Sequence, residues 1–453
     1  MSRHRRDRTT VVLFTRDLRV HDHPALAEAA TIGDRVVPLF VLDDTLLASS
    51  YARPNRVQFL LESLTDLDTS LRALAGRLVV RRGDPVREAL AVAQATGAQA
   101  IFTSADVSAF ARRRARRLAE GCAAHGVEHR AFPGVTVVAP GALLPTGAEH
   151  FRVFTPYWNR WRALPLRARV PKPRRVALPS GLAAGTLPGR ADLVRGATSP
   201  DLIPGGETQA RIRFAAWCRG GVSHYAERHD APAAEGTSRL SPYLHFGCLS
   251  PVEVASRCPS SGASEAFLRQ LCWRDFHHQV MAAFPAIART DYRARGRRWR
   301  DDAELLEAWK AGRTGYPIID AGVRQLAAQG WMHNRARLLT ASFLVKHLGL
   351  DWRLGARHFL DLLLDGDIAN NSGNWQWVAG TGNDTRPNRT FNPIRQALRF
   401  DPDGTYVRRW LPELASVLGP RVHTPWALDP AERHRLEYCE SLVTPARGLA
   451  RVP

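Results

Sequence analysis

The sequence predicts an α/β domain joined by a long linker to an all-helical domain, and three observations along the chain support this fold class. Over residues 9–136, short apolar runs rich in β-branched residues alternate with helical segments. Such alternation is typical of a Rossmann-like, doubly wound parallel sheet with helices on both faces. Residues 137–206 are rich in Pro and Gly, which is typical of a linker. From 207 to 450 helical periodicity dominates, and this predicts the all-helical domain.

Individual elements follow from the spacing of apolar residues and from the turn residues between them. The predicted strands are 11–14, 36–42, 78–80 and 100–102, with residues 131–132 ending a fifth. The predicted N-terminal helices are 58–75, 85–96 and 108–124. In the C-terminal half the predicted helices are 263–283, 302–311, 319–328, 334–348 and 356–364.

Composition narrows the class of protein. The 453 residues leave room for two or three domains with large cores. The six cysteines are scattered without any C-x-x-C pair, so neither a metal site nor a redox disulfide is expected, and a reducing cytoplasmic compartment fits. The first residues do not form a signal peptide, and no apolar run is long enough to cross a membrane.

The formal net charge of +20 is carried almost wholly by Arg. A field of this sign attracts polyanions and favours binding to DNA or RNA. An Arg-rich genome would raise the charge in the same way, so charge alone does not identify the partner.

Segment 365–377 holds the most informative residues, Asp-Gly-Asp-Ile-Ala-Asn-Asn-Ser-Gly-Asn-Trp-Gln-Trp. One interpretation is structural: Gly366 ends one helix in a left-handed conformation and Asp367 caps the next. However, paired Asn residues are unfavourable inside a helix, and two Trp bring large apolar surfaces with polar edges. Carboxylates, amides and indoles together suit a planar heteroaromatic ligand with hydrogen-bonding edges.

Three further clusters carry hydroxyl, cationic or aromatic groups. Residues 237–241 (Thr-Ser-Arg-Leu-Ser) suit a pyrophosphate, although such residues also cap helices. In 331–337, Arg337 follows a partly apolar stretch and is expected to meet a carboxylate such as Asp365, unless the cations form a solvated face. In 273–278, adjacent His residues cannot share a metal ion on a helix, so base stacking on Trp273 and phosphate binding by Arg274 are the better interpretation.

The motifs of other enzyme classes are missing from the sequence. We find no Walker A loop, no G-x-G-x-x-G, no G-x-S-x-G and no H-E-x-x-H. Kinase, dehydrogenase and hydrolase functions therefore lack the residues that their chemistry needs.

In this order, the clusters resemble the photolyase/cryptochrome family, above all its class I cyclobutane-dimer photolyases. The resemblance covers nearly the whole chain and rests on segments 14–22, 235–241, 271–276, 315–320, 330–335, 365–377 and 391–393. It implies FAD bound in the helical domain and a DNA substrate that contains pyrimidine dimers. It also implies a second, light-harvesting chromophore in the α/β domain, and we expect a monomer.

Matching positions imply the cofactor site. The expected FAD-binding residues are Tyr225, Thr237, Ser238, Arg239, Leu240, Ser241, Phe267, Arg274, Arg337, Asp365, Gly366, Asp367 and Asn371. Asn371 would face the flavin N5 atom, and Arg337 would pair with Asp365.

The family's electron chain uses three tryptophans. The matching residues are Trp375, Trp352 and Trp299, in order from the flavin to the surface. For any one of them, simple core packing is the alternative interpretation.

The resemblance also implies contacts with DNA at Gln270, Trp273, Arg274, Asn334, Arg335, Leu338, Trp377, Arg389 and Gln396. Here the sequence departs from the class I pattern, since Gln270 replaces a lesion-binding Glu and Leu338 replaces a Met. Gln270 is kept as a catalytic candidate, because its amide can still bond a thymine edge. These changes leave a cryptochrome-type photoreceptor and a six-four photolyase as alternatives.

The antenna chromophore is expected to be a deazaflavin rather than a folate (methenyltetrahydrofolate), with an empty antenna site as the alternative. The reason is that a Glu used by folate-binding relatives is missing near residues 106–110.

Overall fold

The computed structural model describes residues 8–258, 262–383 and 389–444, which form two compact units. Of the described residues, the first unit contains 8–198, 204–222, 238–258 and 262–285. The second contains 199–203, 223–237, 286–383 and 389–444. Each unit is described separately below.

The first unit is built on a five-stranded parallel sheet with the strand order β3-β2-β1-β4-β5. The strands are β1 (Thr9–Phe14), β2 (Arg35–Asp43), β3 (Val79–Gly83), β4 (Ala100–Ser104) and β5 (Glu128–Phe132). All six residues of β1 are buried, and the central residue Val12 is in register with Pro38 and Phe102. The predicted parallel sheet is therefore confirmed.

Some helices of the first unit pack against this sheet, and others pack against neighbouring helices. Those of the first unit are α1 (Pro24–Ile32), α2 (Asp44–Leu47), α3 (Pro54–Arg72), α4 (Pro85–Thr96), α5 (Ala109–Ala124), α6 (Phe154–Trp161), α7 (Glu207–Ala216), α9 (Ser241–Phe246), α10 (Pro251–Arg257) and α11 (Gly262–Ala283). Helix α4 shows why the sequence predicted its limits so closely. It begins after the capping carboxylate of Asp84 and ends at Gly97, which is left-handed with φ of 61°.

Helix α6 lies within the predicted linker and was not predicted. Its buried residues Phe154, Tyr157, Trp158 and Trp161 are spaced as one face of a helix. Phe154 and Tyr157 pack against Phe276 of α11, at ring distances of 5.8 and 5.7 Å. The Pro and Gly residues around this segment masked an aromatic pattern that indicates a helix.

Among the described residues of the second unit, the regular elements are helices apart from one isolated β-bridge between Arg300 and Leu350. Its helices are α8 (Tyr225–Arg228), α12 (Ala303–Lys310), α13 (Pro317–Gln329), α14 (Asn334–Ser342), α15 (Trp352–Leu362), α16 (Ile368–Ala379), α17 (Pro393–Phe400), α18 (Thr405–Trp410) and α19 (Pro430–His434). Short 3₁₀ segments connect several of them, and a π-helical stretch, Phe343–His347, continues α14. Helix α13 contacts α14, α17 and α18, and α15 contacts α16, around one apolar core.

Among the described helices, none has both the length and the apolar character that a membrane crossing requires. In the same residues, no three His, Cys, Asp or Glu side chains are grouped as metal ligands would be.

Candidate functional site

Asp365 lies between α15 and α16 and pairs with Arg337 of α14, as the sequence predicted. Arg337 Nη2 is 2.9 Å from Asp365 Oδ2, and Arg337 Nε donates to the Met332 carbonyl oxygen at 2.8 Å. The other carboxylate oxygen, Oδ1, is buried and has no hydrogen-bond partner among the described residues. Leaving a buried charged oxygen without a donor is costly. This atom therefore fits a ligand that brings a hydroxyl or N–H group, as FAD does.

Asp367 has a clear local role. Its side chain accepts hydrogen bonds from the backbone N–H and the side-chain amide of Asn370, both at 2.9 Å, and so caps α16. The capping interpretation of this residue is confirmed. The prediction that Gly366 ends the preceding helix is wrong, because α15 already ends at Leu362 and Leu363 follows in an extended conformation.

Asn371 is held in place by α15. Its amide nitrogen donates to the Ala356 carbonyl oxygen at 3.0 Å, and its backbone N–H donates to Asp367 at 2.8 Å. One N–H of the amide is used in this way, so the other N–H and the side-chain carbonyl oxygen remain for a ligand. A neutral amide in this position can bond a cofactor without changing the charge of the site.

The three predicted electron-transfer tryptophans belong to the core of the second unit. Trp375 and Trp352 are 2% and 0% exposed, whereas Trp299 is only partly buried. The ring of Trp375 meets Phe359 edge-on at 5.0 Å. Gly355 is required for this packing, since a Cβ there would lie 2.2 Å from the Trp375 ring.

Two features near these tryptophans were missed by sequence reasoning. The buried ring of Trp309 lies 6.2 Å from that of Trp375, and Trp352 Nε1 donates to Asp291 Oδ1 at 2.9 Å. Asp291 is 61 residues from Trp352 in the sequence. No pattern in the sequence signals a contact over this distance.

Cationic and aromatic groups lie together at a second place in the second unit. The guanidinium carbon of Arg389 is 5.5 Å from the Trp377 ring and 5.2 Å from the Phe391 ring. These three residues and Val378 line a small pocket. Trp377 and Arg389, both predicted to contact DNA, are therefore neighbours.

Arg335 is held by two contacts of its own. It pairs with Asp230 at 2.6 Å, and its guanidinium carbon lies 4.1 Å from the Phe400 ring centre. The other predicted DNA contacts of this unit lie on α14 and α17: Asn334 is exposed, and Leu338 and Gln396 are half-buried.

In the first unit, the predicted residues Phe267, Gln270, Trp273 and Arg274 all lie on α11. Trp273 stacks face to face on Phe154, with ring centroids 3.7 Å apart and an interplanar angle of 3°. One face of Trp273 is thus covered by a residue that the sequence analysis did not select. Gln270 is exposed and Phe267 is buried.

Arg274 is committed to two backbone carbonyl oxygens. Its Nη1 donates to Val135 at 2.5 Å and its Nη2 donates to Leu244 at 3.2 Å. The side chain is 11% exposed. It therefore ties α11 to two other segments of the first unit, besides any role toward a ligand.

The predicted phosphate-binding segment contains an unusual backbone conformation. Arg239 has a φ of 51°, in the left-handed region that non-glycine residues seldom adopt. On one side Thr237 Oγ1 is buried without a hydrogen-bond partner among the described residues, and on the other Ser241 begins α9. Tyr225, on α8, is 7% exposed, and burial raises the pKa of its hydroxyl. Strain and buried hydroxyls of this kind occur at ligand sites.

A cavity of about 540 Å³ opens in the first unit. Its lining includes Thr15 after β1, Ser104 at the end of β4, Asp106, and Arg112 and Arg114 of α5. Strands β2 and β4 flank β1 on opposite sides, so the cavity lies where the strand order reverses, the usual ligand position in doubly wound sheets. Burial lowers the pKa of Arg114, while Asp106 acts in the opposite direction.

Comparisons with known proteins agree with this geometry. Residues 10–176 match the family model described as DNA photolyase, and residues 267–447 match that of the FAD binding domain of DNA photolyase. A deoxyribodipyrimidine photo-lyase of Streptomyces griseus is 51% identical, over 97% of this chain and 97% of its own length.

Two solved structures are similar throughout. A bacterial class III photolyase from Agrobacterium tumefaciens has a TM-score of 0.91 at 32% identity, covering 97% of this chain and 95% of its own. An archaeal photolyase from Sulfolobus tokodaii, solved with two FAD molecules, has a TM-score of 0.84 at 32% identity, with 96% of each chain covered. This chain therefore belongs to the DNA photolyase family.

Proposed function

We propose that this protein repairs cyclobutane pyrimidine dimers in DNA, using light and reduced FAD. The observation that carries the proposal is the buried Asp365 oxygen, which needs a donor, beside a core that holds Trp375 and Trp352. Similarity to the deoxyribodipyrimidine photo-lyase of Streptomyces griseus supports light-driven dimer repair as the reaction. When bound, the reduced flavin absorbs light and supplies the electron that opens the cyclobutane ring.

The residues around Asp365 would hold FAD in distinct ways. Asp365 Oδ1 would accept from the cofactor, while Arg337 fixes the position of the carboxylate. Asp367 sets the start of α16 and with it the direction of Asn371. The remaining proposed FAD contacts, which follow from the family resemblance, are Tyr225, Thr237, Ser238, Arg239, Leu240, Ser241, Phe267, Arg274 and Gly366.

Trp375, Trp352 and Trp299 would return the cofactor to its active state by passing electrons inward. Their exposure supports Trp299 as the outermost of the three, since it is only partly buried whereas Trp375 and Trp352 are both buried. An outer residue must be reachable by an external reductant, whereas the inner ones must be shielded from water.

The DNA substrate would be bound by charge and by stacking. Enzymes of this class act on a base that has left the helix stack, and a damaged pair costs less to extrude than an intact one. Trp273 and Trp377 would stack against the lesion, and Arg335 and Arg389 would contact the backbone near it. Asn334, Arg274, Leu338 and Gln396 complete the proposed contacts, and the net charge of +20 supports a polyanionic partner.

The lesion type depends on Gln270 and Leu338, where the chain departs from class I photolyases. The deciding experiment supplies the chemically reduced protein with oligonucleotides that carry either a cyclobutane dimer or a six-four product, under blue light. We expect loss of the cyclobutane dimer alone. Repair of only the six-four product would reassign the lesion, and repair of neither would favour a cryptochrome-type photoreceptor.

We also propose that the cavity between the ends of β1 and β4 holds the antenna chromophore, a deazaflavin. Its volume and its place at the reversal of strand order support a planar ligand. Chromatography of the pigment released by denaturing the purified protein tests this. A deazaflavin is expected; a folate, a second flavin or no pigment besides FAD would contradict it.

We further propose that residues 9–136 form the antenna-binding α/β domain, 137–206 the linker and 207–450 the helical FAD-binding domain. We also propose that the protein works as a monomer in the cytoplasm.

A further inference from the structure

Charged groups surround Trp352 in a way that packing alone does not explain. The indole is 0% exposed, yet its Nε1 donates to a carboxylate oxygen, Asp291 Oδ1, at 2.9 Å. The Asp291 side chain is only 19% exposed. A buried indole N–H is satisfied by any acceptor, and a neutral carbonyl would avoid the cost of taking a charge out of water.

A single cation is shared by the neighbouring carboxylates. Arg353 Nη2 donates to the same Asp291 Oδ1 atom at 2.7 Å, and Nη1 lies 3.1 Å from both oxygens of Asp351. Its Nε donates to the Arg289 carbonyl oxygen at 2.8 Å, and its guanidinium carbon is 4.8 Å from the Trp352 ring centre. Asp291, Arg353 and Asp351 together carry a formal charge of −1.

These charges act on an oxidised Trp352 in opposite directions. A guanidinium over the ring opposes the removal of an electron, because the ring then becomes positive. A carboxylate that accepts from the ring N–H favours it, because the hydrogen bond strengthens as the N–H becomes more acidic. Asp291 is bonded directly to the indole, whereas Asp351 bonds to Arg353 and to the backbone N–H of α15.

We propose that Asp291 is a positioning residue that stabilises the oxidised form of Trp352 and so keeps electrons moving through the tryptophan chain. The inference rests on the electron chain of the proposed function. In the step concerned, Trp352 gives one electron to oxidised Trp375, which becomes neutral, and Trp352 becomes a radical cation. One electron from Trp299 then restores Trp352. The indole proton stays on Nε1, since Oδ1 already shares its lone pairs with Arg353, and the first oxidant is light-excited FAD.

The test uses the FAD-loaded full chain with the Trp299→Phe change, so that oxidation stops at Trp352. Time-resolved absorption then measures the yield of the Trp352 radical after a light pulse. Asp291→Asn keeps the size of the side chain and removes its charge. We expect a radical yield about tenfold lower, equivalent to about 1.4 kcal/mol.

Asp351→Asn is the matched control. It also removes one negative charge that bonds to Arg353, but it leaves the bond between Asp291 and the indole intact. Its radical yield should stay within about twofold of the parent, since Asn also caps helices well. Equal yields in both variants and the parent would overturn the proposal, as would equal losses in both variants.

A second measurement separates this proposal from the proposed function. The N–H band of Trp352 in ultraviolet resonance Raman spectra, isolated by subtracting a Trp352→Phe spectrum, reports the indole hydrogen bond even without FAD. Asp291→Asn should shift this band and Asp351→Asn should not; an unmoved band overturns the assignment. If Trp352→Phe itself leaves photoreduction unchanged, the electron chain of the proposed function fails instead.

Discussion

Trp352 and Trp377 belong to the same helical unit, but their surroundings differ in kind. Trp352 is fully buried and bonds to a carboxylate, in a buried region that we define by Asp365, Trp375 and Trp352. Trp377 is half-buried beside a cation, in a rim region that we define by Trp377, Arg389 and Phe391. Packing and short hydrogen bonds fix the first region, whereas a long, partly exposed cation shapes the second. Changes in the buried region should therefore alter cofactor and electron properties, and changes in the rim region should alter DNA binding in a salt-dependent way.

The largest effect is expected from Asp365→Ala. The variant leaves Arg337, 24% exposed, without its carboxylate partner and removes the oxygen proposed to meet FAD. Losing a hydrogen bond to a charged group costs about 1.5–3 kcal/mol, so we expect FAD affinity to fall by about 10- to 100-fold. Fluorescence titration of the apoprotein with FAD measures it. Asp403→Ala, which removes an exposed charge of the same unit, serves as control. Equal FAD affinity in the two variants would remove Asp365 from the site.

Next in size is the effect of Trp299→Phe. Removing the partly exposed end of the tryptophan chain should slow photoreduction of the bound flavin about tenfold or more. Repair by protein that has already been reduced chemically should persist, since that reaction needs no electron from Trp299. Absorption spectroscopy under blue light with an external reductant measures the rate, and an unchanged rate would show that electrons enter elsewhere.

A smaller effect is expected in the rim region from Arg389→Ala. If Arg389 contacts a phosphate, affinity for lesion-containing DNA should fall by roughly 1 kcal/mol, and the slope of log affinity against log salt should fall by about one. Binding titrations at several salt concentrations give both values. Arg87→Ala, at an exposed position of α4, is the control and should change neither. A loss of affinity with an unchanged salt slope would mean that Arg389 acts through packing on Trp377.

The last prediction concerns folding stability instead of binding or repair, and it involves His358 of α15, whose ring lies 5.5 Å from that of Trp309. Burial, aided by Lys310, lowers the pKa of His358 to about 4 from its usual 6.5. The unfolded chain therefore binds a proton near pH 6.5 that the folded chain takes up only near pH 4, so stability is lost as the pH falls between these values. Between pH 7 and pH 5 this amounts to about 1–2 kcal/mol, and His358→Gln should remove that part of the loss.

Chemical denaturation at both pH values measures the difference. His434→Gln, at an exposed position, should leave the pH dependence as it is in the parent. If His358→Gln also leaves it unchanged, His358 takes up its proton in the folded chain as readily as in water.

The sequence predicted the sheet well, because buried parallel strands are short apolar runs bounded by turn residues. Strand β5 was the hardest to predict, because its residues Glu-His-Arg-Ala-Phe lie at the edge of the sheet and are largely exposed. Helix α6 was missed because Pro and Gly residues surround it, although its aromatic spacing was visible.

Within the candidate site, the Arg337–Asp365 pair was predictable from charge and from the resemblance to a known family. The contact between Trp352 and Asp291 was not, since it joins residues 61 positions apart in the chain. Likewise, nothing in the sequence around Trp273 shows that Phe154 covers one of its faces. Helix caps and helical periodicity depend on short stretches of sequence. Contacts between distant residues, such as Trp352 with Asp291, depend instead on how whole helices pack.

This chain is proposed to use light and bound FAD to reverse cyclobutane dimers. The most direct test counts these dimers by mass spectrometry in an oligonucleotide, after incubation with the reduced protein in darkness and under blue light. We expect loss of dimers only in the light, and a much smaller loss with the Asp365→Ala variant. Dimers that persist in the light with the FAD-loaded parent protein would contradict it.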